Sequence, residues 1–243
     1  MPWLRAQTPP SVDNSVDKVD NSLKSHIFSH SGPILGLFAK QPIAGQVKTR
    51  LTPPLSAEQA CLLYQVALRE TVARLHASTL PLVICYAGCR DWFSETFPGL
   101  PLLIQTGDDL GDRMSNAVQT LFSTGFGPVL LIGSDSPDLP ISMTEQVLQQ
   151  LQTTDVVTVP CRDGGYAVIG MQGPTTELFA EIPWSTSRVL EATRQRSQEL
   201  GLTYHETECW DDLDEFADLQ KLVARSPESQ TARHVVTVLS ELL

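Results

Sequence analysis

Short apolar runs without charge, each followed by a stretch with helical spacing, recur along the chain from residue 33 onward and restrict it to one broad architecture. Ile34–Phe38, Leu82–Tyr86, Leu102–Gln105, Val129–Ile132 and Val156–Val159 read as strands, since runs of this length bounded by turn residues suit strands buried on both faces. Ser56-x-x-Gln59 is a capping-box signature for a helix whose apolar positions Ala60, Leu63, Tyr64, Ala67, Thr71 and Leu75 share one face. Trp92–Phe97, Leu110–Phe122 and Met143–Leu151 read as further helices, the last opened by Ser142 and Glu145 as a second capping box. Alternating units of this kind need crossovers, and crossovers give a parallel sheet covered by helices. After Pro160 the pattern changes. Tyr166–Met171 follows only a few residues on, across Asp163-Gly164-Gly165, which predicts an antiparallel neighbour and a mixed sheet. Arg188–Leu200, Leu213–Val223 and Thr231–Leu242 read as helices, the last with Val235, Val238, Leu239 and Leu242 inward, and Thr203–Thr207 as a short strand.

The 243 residues suit one α/β domain from residue 32 to 243. Residues 1–31 are too poor in apolar side chains to bury a face and read as a flexible N-terminal tail or a loosely attached helix. The N-terminus shows no apolar h-region or cleavage site, so a cytoplasmic location is expected. A net charge of −11 opposes broad binding to nucleic acid or to an anionic membrane. Five cysteines, odd in number and scattered, read as free thiols. Neither Cys85 with Cys89 nor His26 with His30 has the companions of a zinc set.

Chemistry concentrates where strands end. Val-Leu-Leu-Ile-Gly133-Ser-Asp135-Ser-Pro-Asp138 places two carboxylates directly after a buried strand, in the crevice where open α/β sheets hold ligands. Asp135 and Asp138 thus stand where a metal-bound phosphate is expected, unless the stretch is simply a strand followed by a capping turn. The loop after the first strand carries Lys40, Gly45, Lys48 and Arg50. Three cations in so acidic a chain predict a phosphate cradle, with Gly45 allowing close backbone approach, although the spacing is not that of a P-loop. In Gly107-Asp-Asp-Leu-Gly111-Asp-Arg113 the glycines permit contact with a nucleotide, and Arg113 reaches either a phosphate or Asp109 or Asp112. Asp163-Gly164-Gly165-Tyr166 offers a carboxylate at a glycine bend, suited to orienting an acceptor or acting as base. Trp184 either stacks on an acceptor or is simply packed, and Ser185 and Thr186 either meet substrate or cap the following helix.

Phe-Ala-Lys-Gln-Pro-Ile-Ala-Gly-Gln-Val-Lys-Thr-Arg-Leu, Gly-Asp-Asp-Leu-Gly-Asp-Arg-Met, Ile-Gly-Ser-Asp-Ser-Pro-Asp-Leu-Pro, Asp-Gly-Gly-Tyr and Pro-Trp-Ser-Thr together resemble a bacterial glycosyltransferase-like family, domain of unknown function 2064. The resemblance spans roughly residues 33–222. It implies a GT-A-like (nucleotide-diphospho-sugar transferase) fold, a three-layer sandwich with a mixed, mostly parallel sheet. It also implies a nucleotide-binding N-terminal half and a divalent metal, Mg2+ or Mn2+, at Asp135, with Asp138 either a second ligand or a hydrogen-bond acceptor within the turn. The Lys-Thr-Arg-Leu loop and the Ser-Asp-x-Pro turn are similar to small nucleotidyltransferases such as 2-phospholactate guanylyltransferase. Asp212-Leu-Asp214-Glu-Phe-Ala-Asp-Leu resembles an Asp-Val-Asp-Thr-Pro-Glu-Asp-Leu segment of sugar-nucleotide transferases, which implies Asp214 as the other metal ligand. Glu215-Phe216 here replaces Thr-Pro, and acidic residues also favour a helix N-terminus.

These readings predict a metal-dependent transferase with a nucleotide-activated donor, a nucleotide sugar, and a small-molecule acceptor. A nucleotidyltransferase that uses a nucleoside triphosphate and releases pyrophosphate is the alternative, and a nucleotide-binding module without turnover is the third. The oligomeric state is not legible.

Overall fold

The computed structural model describes residues 32–239; the expected tail 1–31, with His26 and His30, and Leu242 lie outside the described residues. Among these residues seven strands form one sheet: β1 Ile34–Lys40, β2 Leu82–Ala87, β3 Leu102–Ile104, β4 Val129–Gly133, β5 Val156–Pro160, β6 Tyr166–Met171 and β7 Tyr204–Glu206. Their spatial order is β3-β2-β1-β4-β6-β5-β7. All neighbours run parallel except β6, which is antiparallel to both β4 and β5. The mixed, mostly parallel sheet is therefore the one expected, and the Asp163-Gly164-Gly165 bend is the hairpin that inserts β6.

Among the described residues seven α-helices accompany it: α1 Ala57–His76, α2 Arg90–Thr96, α3 Leu110–Ser123, α4 Ile141–Gln150, α5 Val189–Glu199, α6 Phe216–Arg225 and α7 Gln230–Val238. Strand alternation splits the core into two layers. Leu35, Leu37, Ile84, Leu130 and Ile132 pack with Tyr64 and Leu68 of α1 and Val147 of α4. Ile34, Val83, Leu103, Leu131 and Ile169 pack with Met114, Val118 and Leu121 of α3. Full burial of each such Leu or Ile contributes about 1.5–3 kcal/mol, so a strand like β4 has nowhere else to go.

Helix ends depart from expectation in two places. No side chain caps α4; Pro140 stands at its N-cap with φ −64°, a dihedral that proline presets for a helix start, so Ser142 lies inside the helix. The helix expected over Leu213–Val223 begins later, so that residues 213 and 214 stay outside α6. Glu215 and Asp218 form a reciprocal capping box that starts the helix at Phe216, while Leu213 N–H donates to Asp135 O at 2.9 Å. Leu213 itself is buried with Leu51, Leu63, Leu219, Leu222 and Val235, a third cluster that joins α1, α6 and α7. Glu70 of α1 is buried beneath α7 and accepts from Gln230 N, Thr231 N and Thr231 Oγ1. Its carboxylate thus satisfies the free amides of that helix's first turn.

Candidate active site

In the order β2-β1-β4 the chain reverses its direction of growth between β1 and β4, and a crevice opens at their carboxyl ends. The β1 loop and the β4 turn both emerge there. Because β6 is antiparallel, the β5–β6 hairpin returns to the same edge, and so does the segment leaving β7. A cleft of about 760 Å³ results, bordered by Lys40, Lys48, Arg50, Asp135, Asp163 and Trp184, among others.

Its charged centre is built from three segments distant in sequence. Lys48 Nζ forms an ion pair with Asp135 Oδ1 and a second with Asp214 Oδ1 at 3.1 Å, and it also donates to Leu213 O. Arg50 Nη1 meets Asp214 Oδ2 at 3.1 Å from a largely exposed position. The Lys48 side chain is only 5% exposed. Burial disfavours its charged form, but Asp135 and Asp214 outweigh burial and raise its pKa above the ordinary lysine value. Lys48 also adopts a left-handed backbone, φ 47°, a strained state for a non-glycine residue that tends to accompany functional sites. Behind this centre Tyr64 Oη hydrogen-bonds Ser134 Oγ at 2.9 Å and accepts from Lys40 N at 3.1 Å, tying β1 to the β4 turn.

Sequence reasoning passed over Asp212. Leu213 is buried in the third cluster, and its two neighbours, Asp212 and Asp214, both border the cleft. Burial, then the charges of Asp214 and Asp163, raise Asp212 to about 7. The alternation Asp-Leu-Asp was the available signal. Cys161, Asp163 and Asp212 bring a thiol and two carboxylates within 4.8 Å of one another. Burial pushes the Cys161 thiol well above its usual range. Asp135 and Asp214 are a second pair of carboxylates in the cleft, and their oxygens already surround a positive charge.

Other predicted residues divide clearly. Lys40, Arg113, Asp163, Gly165, Tyr166, Trp184, Ser185 and Thr186 border the cleft. Arg113 Nε donates to Gly107 O at 3.2 Å rather than pairing with Asp109 or Asp112. Asp163 Oδ1 accepts from Gly165 N at 2.8 Å, which shapes the hairpin. Trp184 packs against Phe179, ring centroids 6.5 Å apart. Ser185 and Thr186 are not the N-cap of α5, which is Arg188; Thr186 Oγ1 instead donates to Pro183 O and accepts from Arg188 N.

Four glycines expected near ligand do not border the cleft. Gly45 is an exposed turn residue at φ 77°. At Gly107 a side chain would strike Asp112, at Gly111 it would strike Trp184 and Phe179 O, and at Gly164 it would strike the Ser187 backbone. These last three clear space for the chain itself. Asp138 is corrected as well: it is fully buried, accepts from Arg225 Nε at 2.7 Å, Arg225 Nη2 at 2.9 Å and Ser226 Oγ at 2.7 Å, and is absent from the cleft wall. With its oxygens committed in this way it belongs to the turn, not to a metal.

Residues 71–186 match the family described as "Uncharacterized protein conserved in bacteria (DUF2064)", the one the motifs resembled. No curated protein matches. Among solved structures, a provisionally assigned nucleotide-diphospho-sugar transferase from Desulfovibrio desulfuricans G20 is 28% identical, with a TM-score of 0.75 over 87% of this chain and 98% of that one. CMP:2-keto-3-deoxy-manno-octonic acid synthetase in complex with CTP is 12% identical, with a TM-score of 0.52 over 82% and 99%. Rv0371C from Mycobacterium tuberculosis H37Rv, in complex with manganese, is 12% identical, with a TM-score of 0.51 over 80% and 100%. The fold is that of the nucleotide-diphospho-sugar transferases. No helix among the described residues is long and apolar enough to cross a membrane.

Proposed function

We propose that this chain is a metal-dependent transferase that takes a nucleotide sugar as donor and passes the glycosyl group to a small-molecule acceptor. The observation that carries the reading is the convergence of Asp135, Asp214, Lys48 and Arg50 at the β1/β4 crevice. Asp135 and Asp214 are the residues to hold Mg2+ or Mn2+, which when bound neutralises the donor's phosphates. Lys48, freed from the carboxylates, and Arg50 stabilise the negative charge that grows on the departing nucleoside diphosphate. Lys40 and Arg113 extend the positive wall along β1 and α3. Asp163, held by Gly165 N–H at the hairpin, orients the acceptor hydroxyl, and Trp184, Ser185 and Thr186 line the same cleft. The likeness to a provisionally assigned nucleotide-diphospho-sugar transferase at 28% identity supports a transferase of this fold.

Nucleotidyl transfer is the second reading, supported by the shared fold with a synthetase bound to CTP. The same cations would then face a leaving pyrophosphate. Purified protein incubated with Mn2+, each common nucleotide sugar or nucleoside triphosphate, and a panel of sugar and phosphorylated acceptors separates the two. Nucleoside diphosphate release that Asp135→Ala abolishes is the expected result. Pyrophosphate release makes the second reading primary, and nucleotide binding without either product leaves a binding module.

A further inference from the structure

Arg225, at the last turn of α6, lies behind the charged centre and borders no part of the cleft. Its guanidinium nevertheless touches both chain segments that carry the candidate metal ligands. On the β4 side it grips Asp138, three residues beyond Asp135, through Nε at 2.7 Å and Nη2 at 2.9 Å. On the other side Nη2 donates to Asp211 O at 2.9 Å, and Nη1 stands 3.5 Å from Asp211 Oδ2, three residues before Asp214. The Trp210 ring lies under the guanidinium, 5.1 Å from its carbon to the ring centroid. In front, the two segments meet directly through Leu213 N–H and Asp135 O at 2.9 Å. Besides the Lys48 ammonium, which pairs with both Asp135 and Asp214, the turn and the 210–214 segment are thus joined by one backbone hydrogen bond and one guanidinium, and no lysine can copy the planar fork that serves a carboxylate and a carbonyl together.

We infer that Arg225, acting through Asp138, is a positioning residue that sets the spacing of Asp135 and Asp214. The inference rests on the metal-site reading above and adds to it the residue pair that fixes the site's geometry. A small error in ligand spacing matters because a cation site gains affinity only from ligands already placed.

The two partners carry opposite charges, and that makes the idea testable. Loss of a nearby cation by itself strengthens Mn2+ binding, and loss of a nearby anion by itself weakens it. If the pair positions the ligands, Arg225→Lys, Arg225→Met and Asp138→Asn all weaken binding, by about 10–100-fold as for other groups that orient metal ligands. Mn2+ affinity is read by electron paramagnetic resonance titration of the full chain, alone and with inorganic pyrophosphate, beside a thermal melt of each variant. Because Arg225→Met leaves a buried carboxylate unpaired, the double variant Arg225→Met/Asp138→Asn is included as the form that retains folding. It too is expected to bind weakly. Variants that melt earlier yet bind Mn2+ as the wild type does, or tighter binding by both Arg225 variants, overturn the inference while Asp135→Ala still tests the site. Wild-type protein that takes up no Mn2+ in either condition overturns the metal-site reading and this inference together.

Discussion

Replacing Lys48 by Met separates the cost of an unneutralised carboxylate pair from the gain a divalent ion can supply. Lys48 Nζ is shared by Asp135 and Asp214, whose side chains are 47% and 29% exposed. Breaking a fully buried ion pair costs about 3–5 kcal/mol, and solvent at the two carboxylates screens most of that. A loss of about 1–2 kcal/mol is the reasoned figure, equivalent to a fall of roughly 2–8 °C in Tm for a chain of this size. Methionine keeps the stem's packing, so the loss reports charge. Mn2+ then has an unobstructed place between the carboxylates, and at a hundred times its Kd it returns about 2.7 kcal/mol. Differential scanning calorimetry with and without Mn2+ is the assay. Lys48→Met should melt below the wild type without metal and gain more from Mn2+ than the wild type does. An equal or smaller gain would refute the view that the ammonium and the cation compete for one place.

Three further outcomes are expected. Glu70→Ala removes the acceptor of Gln230 N, Thr231 N and Thr231 Oγ1 beneath α7 and should cost about 2–3 kcal/mol in urea denaturation, with Glu70→Gln losing less; equal loss by both would show that the acceptor oxygen is not what matters. Burial raises the Asp138 pKa, but the hydrogen bonds from Arg225 and Ser226 and the guanidinium charge prevail and hold it below the ordinary carboxylate value. Its contribution to stability is therefore complete above the unfolded pKa of about 3.9 and disappears as pH falls through the folded value, so Asp138→Asn should flatten the acid limb of a stability-against-pH profile. Gly164→Ala needs a left-handed backbone, φ 89°, and drives a methyl group into the Ser187 backbone; it should displace the hairpin and reduce turnover more than nucleotide binding, measured by kcat and by calorimetric titration.

Strand positions were legible because uncharged apolar runs of five or so residues have few other uses, and β6 was legible from Gly164-Gly165 on a short connection. Helix starts were less so. Ser142 and Glu145 have the letters of a capping box, yet Pro140 begins α4 earlier. Glycines misled in a consistent way: Gly107, Gly111 and Gly164 each permit a close approach, but what approaches is Asp112, Trp184 with Phe179, or Ser187. A glycine in a sequence announces the clearance without naming its neighbour. The aspartates divide by the same logic. Asp138 is withdrawn from the cleft by Arg225, 87 residues away, whereas Asp212 is delivered to it by the burial of Leu213 next door.

The site's composition follows from the place of β6 in the sheet. In a purely parallel arrangement only loops that follow strands reach the carboxyl edge, and each is separated from the next by a crossover. An antiparallel β6 between β4 and β5 places a tight hairpin on that edge, so Asp163 and Gly165 stand beside Asp135 without an intervening helix. β7 then runs parallel to β5 and carries the chain out at the same edge, which sends residues 210–214 back across β5 and β6 toward the β4 turn, pinned at Trp210 N to Pro160 O and at Leu213 N to Asp135 O. Acidic residues from the β4 turn, the hairpin and this returning segment are thereby gathered opposite the cations of the β1 loop. The five carboxylates that border the cleft, Asp135, Asp163, Asp212, Asp214 and Glu215, repel one another, and the burial of Lys48 among them is the physical consequence: the fold creates a demand for positive charge that the lysine meets.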